Sequence, residues 1–157
     1  MEFEVTVRQL SPSFMADYPE SLYPELMHKQ GRPYSCLLVE SHDYTICIPF
    51  RSSIPHKNAF LFRGTKRSSE TRSGLDYTKI VLIKKEEYFD DSKAVVDQDE
   101  YNEAMKNIDI IVSEVLEYIN SYIIHIRGEK ILHKREFDRK YLYSTLVYFH
   151  DILGLSE

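Results

Sequence analysis

Hydrophobic and polar positions along this chain change period twice, and the changes divide it into three regions. Residues 2 to 9 (Glu2, Phe3, Glu4, Val5, Thr6, Val7, Arg8, Gln9) alternate with period two, which predicts a half-buried strand. Ser11, Pro12 and Ser13 break that pattern, and the pairs Tyr18-Pro19 and Tyr23-Pro24 restrict the next segment to short helical turns or loop. Tyr34 to Glu40 and Tyr44 to Pro49 are apolar runs separated by Ser41, His42 and Asp43, a pattern expected of a hairpin of two buried strands. Asn58 to Arg63 is a third such run, and the stretch from Asp76 to Lys84, after Gly74, predicts another strand.

The last third has helical spacing. Met105, Ile108, Ile111, Val112, Val115, Leu116, Ile119 and Tyr122 recur at intervals of three and four, predicting one amphipathic helix from Asp99 to Ile126 that Gly128 ends. Phe137, Tyr141, Leu142, Thr145, Leu146, Phe149 and Ile152 predict a second over residues 134 to 152. Strands followed by two long C-terminal helices make the expected class α+β.

Composition refines this picture. The chain has 157 residues, 43% of them hydrophobic, with no Gly, Ser or Pro-rich linker, so residues 1 to 157 are expected to form one domain. Cys36 and Cys47 lie in apolar runs and are expected to act as small core hydrophobes. No apolar run approaches the roughly 20 residues of a membrane span, and the N-terminus lacks the features of a secretion signal, so a soluble cytoplasmic protein with no membrane partner is expected. The net charge of −5 conceals segregation. Residues 28 to 85 hold eleven Lys or Arg against four Asp or Glu, a local charge of +7, while the remainder carries −12. A basic face for a polyanion is therefore compatible with an acidic protein, although the charges of Lys66, Arg67, Glu70 and Arg72 equally suit a solvated turn.

Candidate chemistry is densest at the end of the second apolar run, where Pro49, Phe50, Arg51, Ser52, Ser53, Ile54, Pro55, His56 and Lys57 follow one another. Guanidinium and ammonium groups suit phosphate oxygens, hydroxyls can fix geometry, and imidazole can move a proton near neutral pH. Together they suit cleavage of RNA by its own 2'-hydroxyl, with no metal or cofactor required. His56 is the candidate for proton transfer. Arg51, Lys57 and Arg32 are candidates for the non-bridging oxygens, and Ser52 or Ser53 for a hydrogen bond to the 2'-hydroxyl or phosphate. Lys29, Arg63, Lys66, Arg67 and Arg72 complete the basic RNA-binding set. Tyr77, with Tyr18 and Tyr23, is placed to meet unstacked bases. Each has a plainer alternative: Ser52 and Ser53 can merely turn the chain, and Arg51 can pair with Asp76 or Glu40. His125, His133 and His150 have no metal-ligand spacing and are read as structural.

These segments, together with Arg32-Pro33-Tyr34 and Ser73-Gly74-Leu75-Asp76-Tyr77, resemble the toxins of type III toxin-antitoxin systems, nearest the TenpN group with ToxN, CptN and AbiQ as more distant relatives. The resemblance implies a metal-independent endoribonuclease on a twisted antiparallel sheet like that of the MazF and Kid toxins, leaving 2',3'-cyclic phosphate and 5'-hydroxyl ends. It implies as partner a short pseudoknotted RNA antitoxin, processed from a repetitive transcript and held in a closed toxin-RNA assembly. Cellular or phage RNA would be the substrate, phage defence the setting, and DNA no partner. Within the family pattern Pro49, Phe50, Arg51 and Ser52 match well, Lys57 falls at a phosphate-binding lysine, and Arg32 at a basic residue preceding a core strand. Many relatives place threonine where Arg51 stands. The competing readings are a non-catalytic structured-RNA-binding protein and, further off, a protein-interaction adaptor using the acidic helical third.

Overall fold

The computed structural model describes residues 5–28, 34–90 and 94–155. Among these, six antiparallel strands form one sheet: β1 (Val5–Gln9), β2 (Ser35–Glu40), β3 (Thr45–Arg51), β4 (Ala59–Leu61), β5 (Gly74–Asp76) and β6 (Val81–Ile83). The order is β1-β2-β3-β5-β4, with β6 also paired to β3. β3 is thus shared. Its first half pairs with β6 (Cys47 opposite Val81) and its last two residues with β5 (Phe50 opposite Leu75, Arg51 opposite Gly74). On that edge Ile48 and Pro49 fall between these pairings, so a residue without an N–H interrupts neither the β5 nor the β6 ladder, while Pro49 stays in register opposite Cys36 of β2. The consequence is functional geometry: β3 carries Arg51 away from β6 and sets it beside β5.

Four helices among the described residues surround the sheet: α1 (Pro12–Asp17), α2 (Gln98–Lys106), α3 (Ile108–Ile126) and α4 (Lys134–Tyr141). Ser11 caps α1 through its hydroxyl, which accepts from the Phe14 N–H, and Pro12 opens the helix where its missing N–H is harmless. The Tyr and Pro-rich region therefore holds one short helix, in line with its pattern. Tyr18 and Tyr23 are half-buried, with Tyr18 stacked on Phe14 at 4.6 Å and Tyr23 edge-on to Tyr148 at 5.0 Å. Both are taken up by packing.

Three expectations are corrected. The long helix from Asp99 to Ile126 is two helices, broken at Asn107, whose side-chain amide donates to the Glu103 carbonyl and substitutes for a helical bond. The second C-terminal helix stops at Tyr141, and a 3₁₀ turn over Thr145–Phe149 replaces its continuation. Ser144 caps that turn by accepting from the Leu146 N–H, while the Thr145 hydroxyl donates to the Ile80 carbonyl, pulling the segment onto the sheet. Two long C-terminal helices are therefore not present. The strand expected from Asp76 to Lys84 is likewise divided, because the Asp76 carboxylate accepts from the Thr78 N–H and closes a turn over Tyr77–Lys79.

One core joins these elements. Leu37, Val39, Ile46, Ile48, Leu75 and Ile80 from the strands and the turn before β6 are fully buried, and α3 contributes Ile111, Val112, Val115, Tyr118, Ile119 and Tyr122. Leu116 lies outside that stripe and is exposed, as is Leu142, at the end of α4. Cys36 and Cys47 are free, buried thiols whose pKa burial pushes well up, so both remain protonated hydrophobes. Gly128 closes α3 with φ of 75°, the left-handed conformation that favours glycine there. No helix among the described residues is long and apolar enough to cross a membrane.

Candidate active site

The site begins where β3 ends. Ser53, just beyond Arg51 and Ser52, has φ of 54°, an uncommon conformation for a residue with a side chain. Thr71 holds it there, its hydroxyl accepting from the Ser53 N–H at 2.9 Å and lying 3.1 Å from the Ser53 hydroxyl. Arg72 fixes the next turn by donating to the carbonyls of Ile54 at 2.9 Å and His56 at 2.8 Å. The buried Ile54 side chain anchors the loop from below. The expected RNA-binding role of Arg72 thus meets a guanidinium already engaged in shaping the loop.

Asp76 organises the groups this loop presents. Its side chain is fully buried, and one carboxylate oxygen accepts from Arg51 Nη1 at 2.5 Å. The other lies 3.1 Å from His56 Nε2 and accepts from the Thr78 N–H at 2.9 Å and hydroxyl at 2.7 Å. Burial pushes this carboxyl up, but hydrogen bonds from His56, Thr78 and Arg51 outweigh it and hold the group below its usual range. Arg51 and His56, five residues apart on a turning loop, are therefore brought together by a residue from the neighbouring strand.

The state of His56 is set by its neighbours. Nδ1 accepts from the Asn58 N–H at 3.0 Å, so the neutral ring carries its proton on Nε2, facing Asp76 and the Thr78 hydroxyl at 3.1 Å. Both ring nitrogens are engaged. For Nδ1 to take a proton from a substrate, the turn at Asn58 must give up its hydrogen bond.

On its other side Arg51 borders a cleft of about 590 Å³, also lined by Ser52, Ser35, Tyr34, Phe50, Arg67 and Glu100. Arg67 makes a two-pronged ion pair with Glu100, Nε to Oε2 at 2.9 Å and Nη2 to Oε1 at 2.7 Å. Glu100 is nearly inaccessible, and its burial raises the carboxyl pKa despite the partner. Two further α2 carboxylates grip the basic loop: Glu103 accepts from the N–H groups of Arg63 and Gly64, and Asp99 from that of Lys66. Segregated charges are thus folded onto each other. The side chains of Arg63, Lys66 and Lys57 are exposed and make no hydrogen bond or ion pair among the described residues.

Of the remaining candidates, Lys29 and Arg32 lie outside the described residues. Tyr77 is buried, with 4% exposure, and its hydroxyl donates to Glu114 at 2.8 Å, so its ring is closed to a base in this conformation. Burial and Glu114 drive its hydroxyl pKa well up. Sequence reasoning missed Asp76 as the hub, naming it only as a possible partner of Arg51. The available signal was a single acid next to the apolar Leu75 in a strand, which demands a buried cation or donors. Nothing in the sequence distinguished Glu100 from its acidic neighbours. Among the described residues, no three His, Cys, Asp or Glu side chains gather as a metal site.

Comparison of the chain with protein-family models, with characterised proteins and with solved structures yields no match.

Proposed function

We propose that the chain is a metal-independent endoribonuclease of the type III toxin kind, with its scissile phosphate held at the lip of the cleft by Arg51 and Ser52. The observation that carries this reading is Arg51: a cation fixed by a buried carboxylate, lining an open cleft together with Ser52. Such a pre-oriented guanidinium can offset charge on a pentavalent phosphorane without reorganising. In the reaction the 2'-oxygen attacks phosphorus, the bond to the 5'-oxygen breaks, and one proton leaves the 2'-hydroxyl while another reaches the departing oxygen. The products are a 2',3'-cyclic phosphate and a 5'-hydroxyl. Lys57, exposed beside His56, binds an adjacent phosphate.

The antiparallel sheet is in keeping with the MazF and Kid-like core that the sequence resemblance carries. The same resemblance supplies the rest of the proposal: a repeat-derived RNA antitoxin as inhibitor, a closed toxin-RNA assembly, a cytoplasmic setting and phage defence. A second reading, a non-catalytic structured-RNA-binding protein, is favoured by one observation: both nitrogens of His56 are occupied.

Expression in a bacterial host, with mapping of cellular RNA 5'-ends, separates the two. Wild type should arrest growth and generate recurrent 5'-hydroxyl ends, and Arg51→Ala and Ser52→Ala should abolish both. If His56→Ala retains activity, the histidine only shapes the loop. Soluble wild-type protein that causes neither arrest nor new ends overturns the nuclease reading.

A further inference from the structure

We infer that the cleft beside Arg51 is a base-recognition pocket that takes an unstacked guanine of the RNA. The inference rests on the ribonuclease reading for its biological sense, but its physical basis is the cleft itself. At about 590 Å³ it falls inside the usual range of small-molecule sites, roughly 300 to 1,000 Å³. Tyr34 and Phe50 supply aromatic and apolar wall, the surface on which a base loses little by leaving water.

Three polar features select the base. Ser35 lines the cleft at 9% exposure, and its hydroxyl has no hydrogen-bond partner among the described residues. That hydroxyl oxygen is itself shielded from the cleft, but a buried hydroxyl without a partner is costly, and rotation about χ1 would turn it to a ligand polar atom. Arg67 is the second. Glu100 occupies its Nε and one Nη2 proton, which locks the guanidinium plane and leaves the opposite edge, from Nη1 and the other Nη2 proton, for two parallel acceptors. The side chain is one-third exposed, so that edge is within reach. Guanine presents two such acceptors, O6 and N7, whereas adenine places an amino donor beside N7. Asp97, which also lines the cleft, is the third, since a carboxylate suits the N1–H and amino donors of guanine.

A bare phosphate would also fit the Arg67 fork, but the carboxylates of Asp97 and Glu100 and the apolar wall disfavour a second anion there. The pocket therefore reads a base, while Arg51 and Ser52 at its lip take the neighbouring phosphate.

Calorimetric titration of the full chain with GMP, AMP, UMP and inorganic phosphate tests the inference without requiring cleavage. GMP should bind tighter than AMP by roughly tenfold to a hundredfold. Ser35→Ala should weaken GMP by about three- to tenfold while the melting temperature of the free protein stays the same or rises. Arg67→Lys, which keeps the charge beside Glu100 but lacks the fork, should remove the preference for GMP over AMP. Equal affinity for GMP and AMP, displacement of GMP by equimolar phosphate, absence of GMP binding, or indifference to Ser35→Ala would each overturn the pocket. Short RNAs assayed in parallel separate this from the wider reading. Cleavage without guanine preference or GMP binding rejects the pocket alone, and selective GMP binding without cleavage keeps the pocket and rejects the nuclease.

Discussion

Replacing Asp76 by asparagine tests whether this carboxylate holds the site together. The side chain is fully buried and bonded to Arg51, His56 and Thr78, so the amide keeps the shape but removes the charge. One face of the amide must then either turn its NH2 towards Arg51 or lose the Thr78 donors. Breaking a buried ion pair from one side costs about 3–5 kcal/mol, and Arg51, at 22% side-chain exposure, recovers part of that by hydration. About 2–4 kcal/mol is the expected loss, equivalent to roughly 5–15 °C in melting temperature for a chain of this size. pH adds a second signature. The Asp76 pKa is lowered on folding, so its contribution is complete above the unfolded carboxyl value and is lost as pH falls through the folded one. The stability gap between wild type and Asp76→Asn, measured by urea unfolding, should be present at neutral pH and shrink below about pH 4. A loss under about 1 kcal/mol, or a gap undiminished at pH 3, would refute the role assigned to Asp76.

Other sites give independent checks. A methyl added at Gly74 would lie 2.0 Å from the Phe60 carbonyl oxygen in the paired strand, so Gly74→Ala should cost more than about 3 kcal/mol or abolish soluble protein, and a normal melting curve would contradict the β4-β5 register. Ser53→Val puts a β-branched residue at φ of 54° and should destabilise by about 1–2 kcal/mol in thermal unfolding; no change would mean that the loop relaxes freely. Lys57→Ala should leave stability within about 0.5 kcal/mol but reduce the slope of log affinity for single-stranded RNA against log salt by roughly 0.7, while an unaltered slope would remove Lys57 from the phosphate contacts.

The pattern of the chain made the antiparallel strands and the amphipathic character of α3 legible, because burial of one strand after another leaves unbroken apolar runs. Element ends were less legible where a single polar side chain intervenes: Asn107 breaks a helix that keeps its apolar period, and Ser144 and Thr145 divert another onto the sheet. Arg51, Ser52 and His56 stood out as a cluster of reactive groups, but their arrangement depends on Asp76, twenty-five residues beyond Arg51, and only strand pairing brings it there. Basic residues were visible as a segment, not as individuals. Arg72 is spent on backbone carbonyls and Arg67 on Glu100, whereas Lys57, Arg63 and Lys66 project outward, a distinction set by contacts distant in sequence. Tyr77 shows the same effect, since only the packing of α3 against its turn reveals Glu114 as its partner.

The most direct test of the central claim is to incubate purified protein with a defined RNA pool in excess EDTA and determine the chemistry of the new ends. Cleavage should persist in EDTA and leave 2',3'-cyclic phosphate and 5'-hydroxyl termini, and Arg51→Ala, with protein still folded, should lower the rate at least roughly 100-fold. Intact RNA, or 5'-phosphate ends, or an Arg51→Ala variant as active as wild type, would contradict the claim.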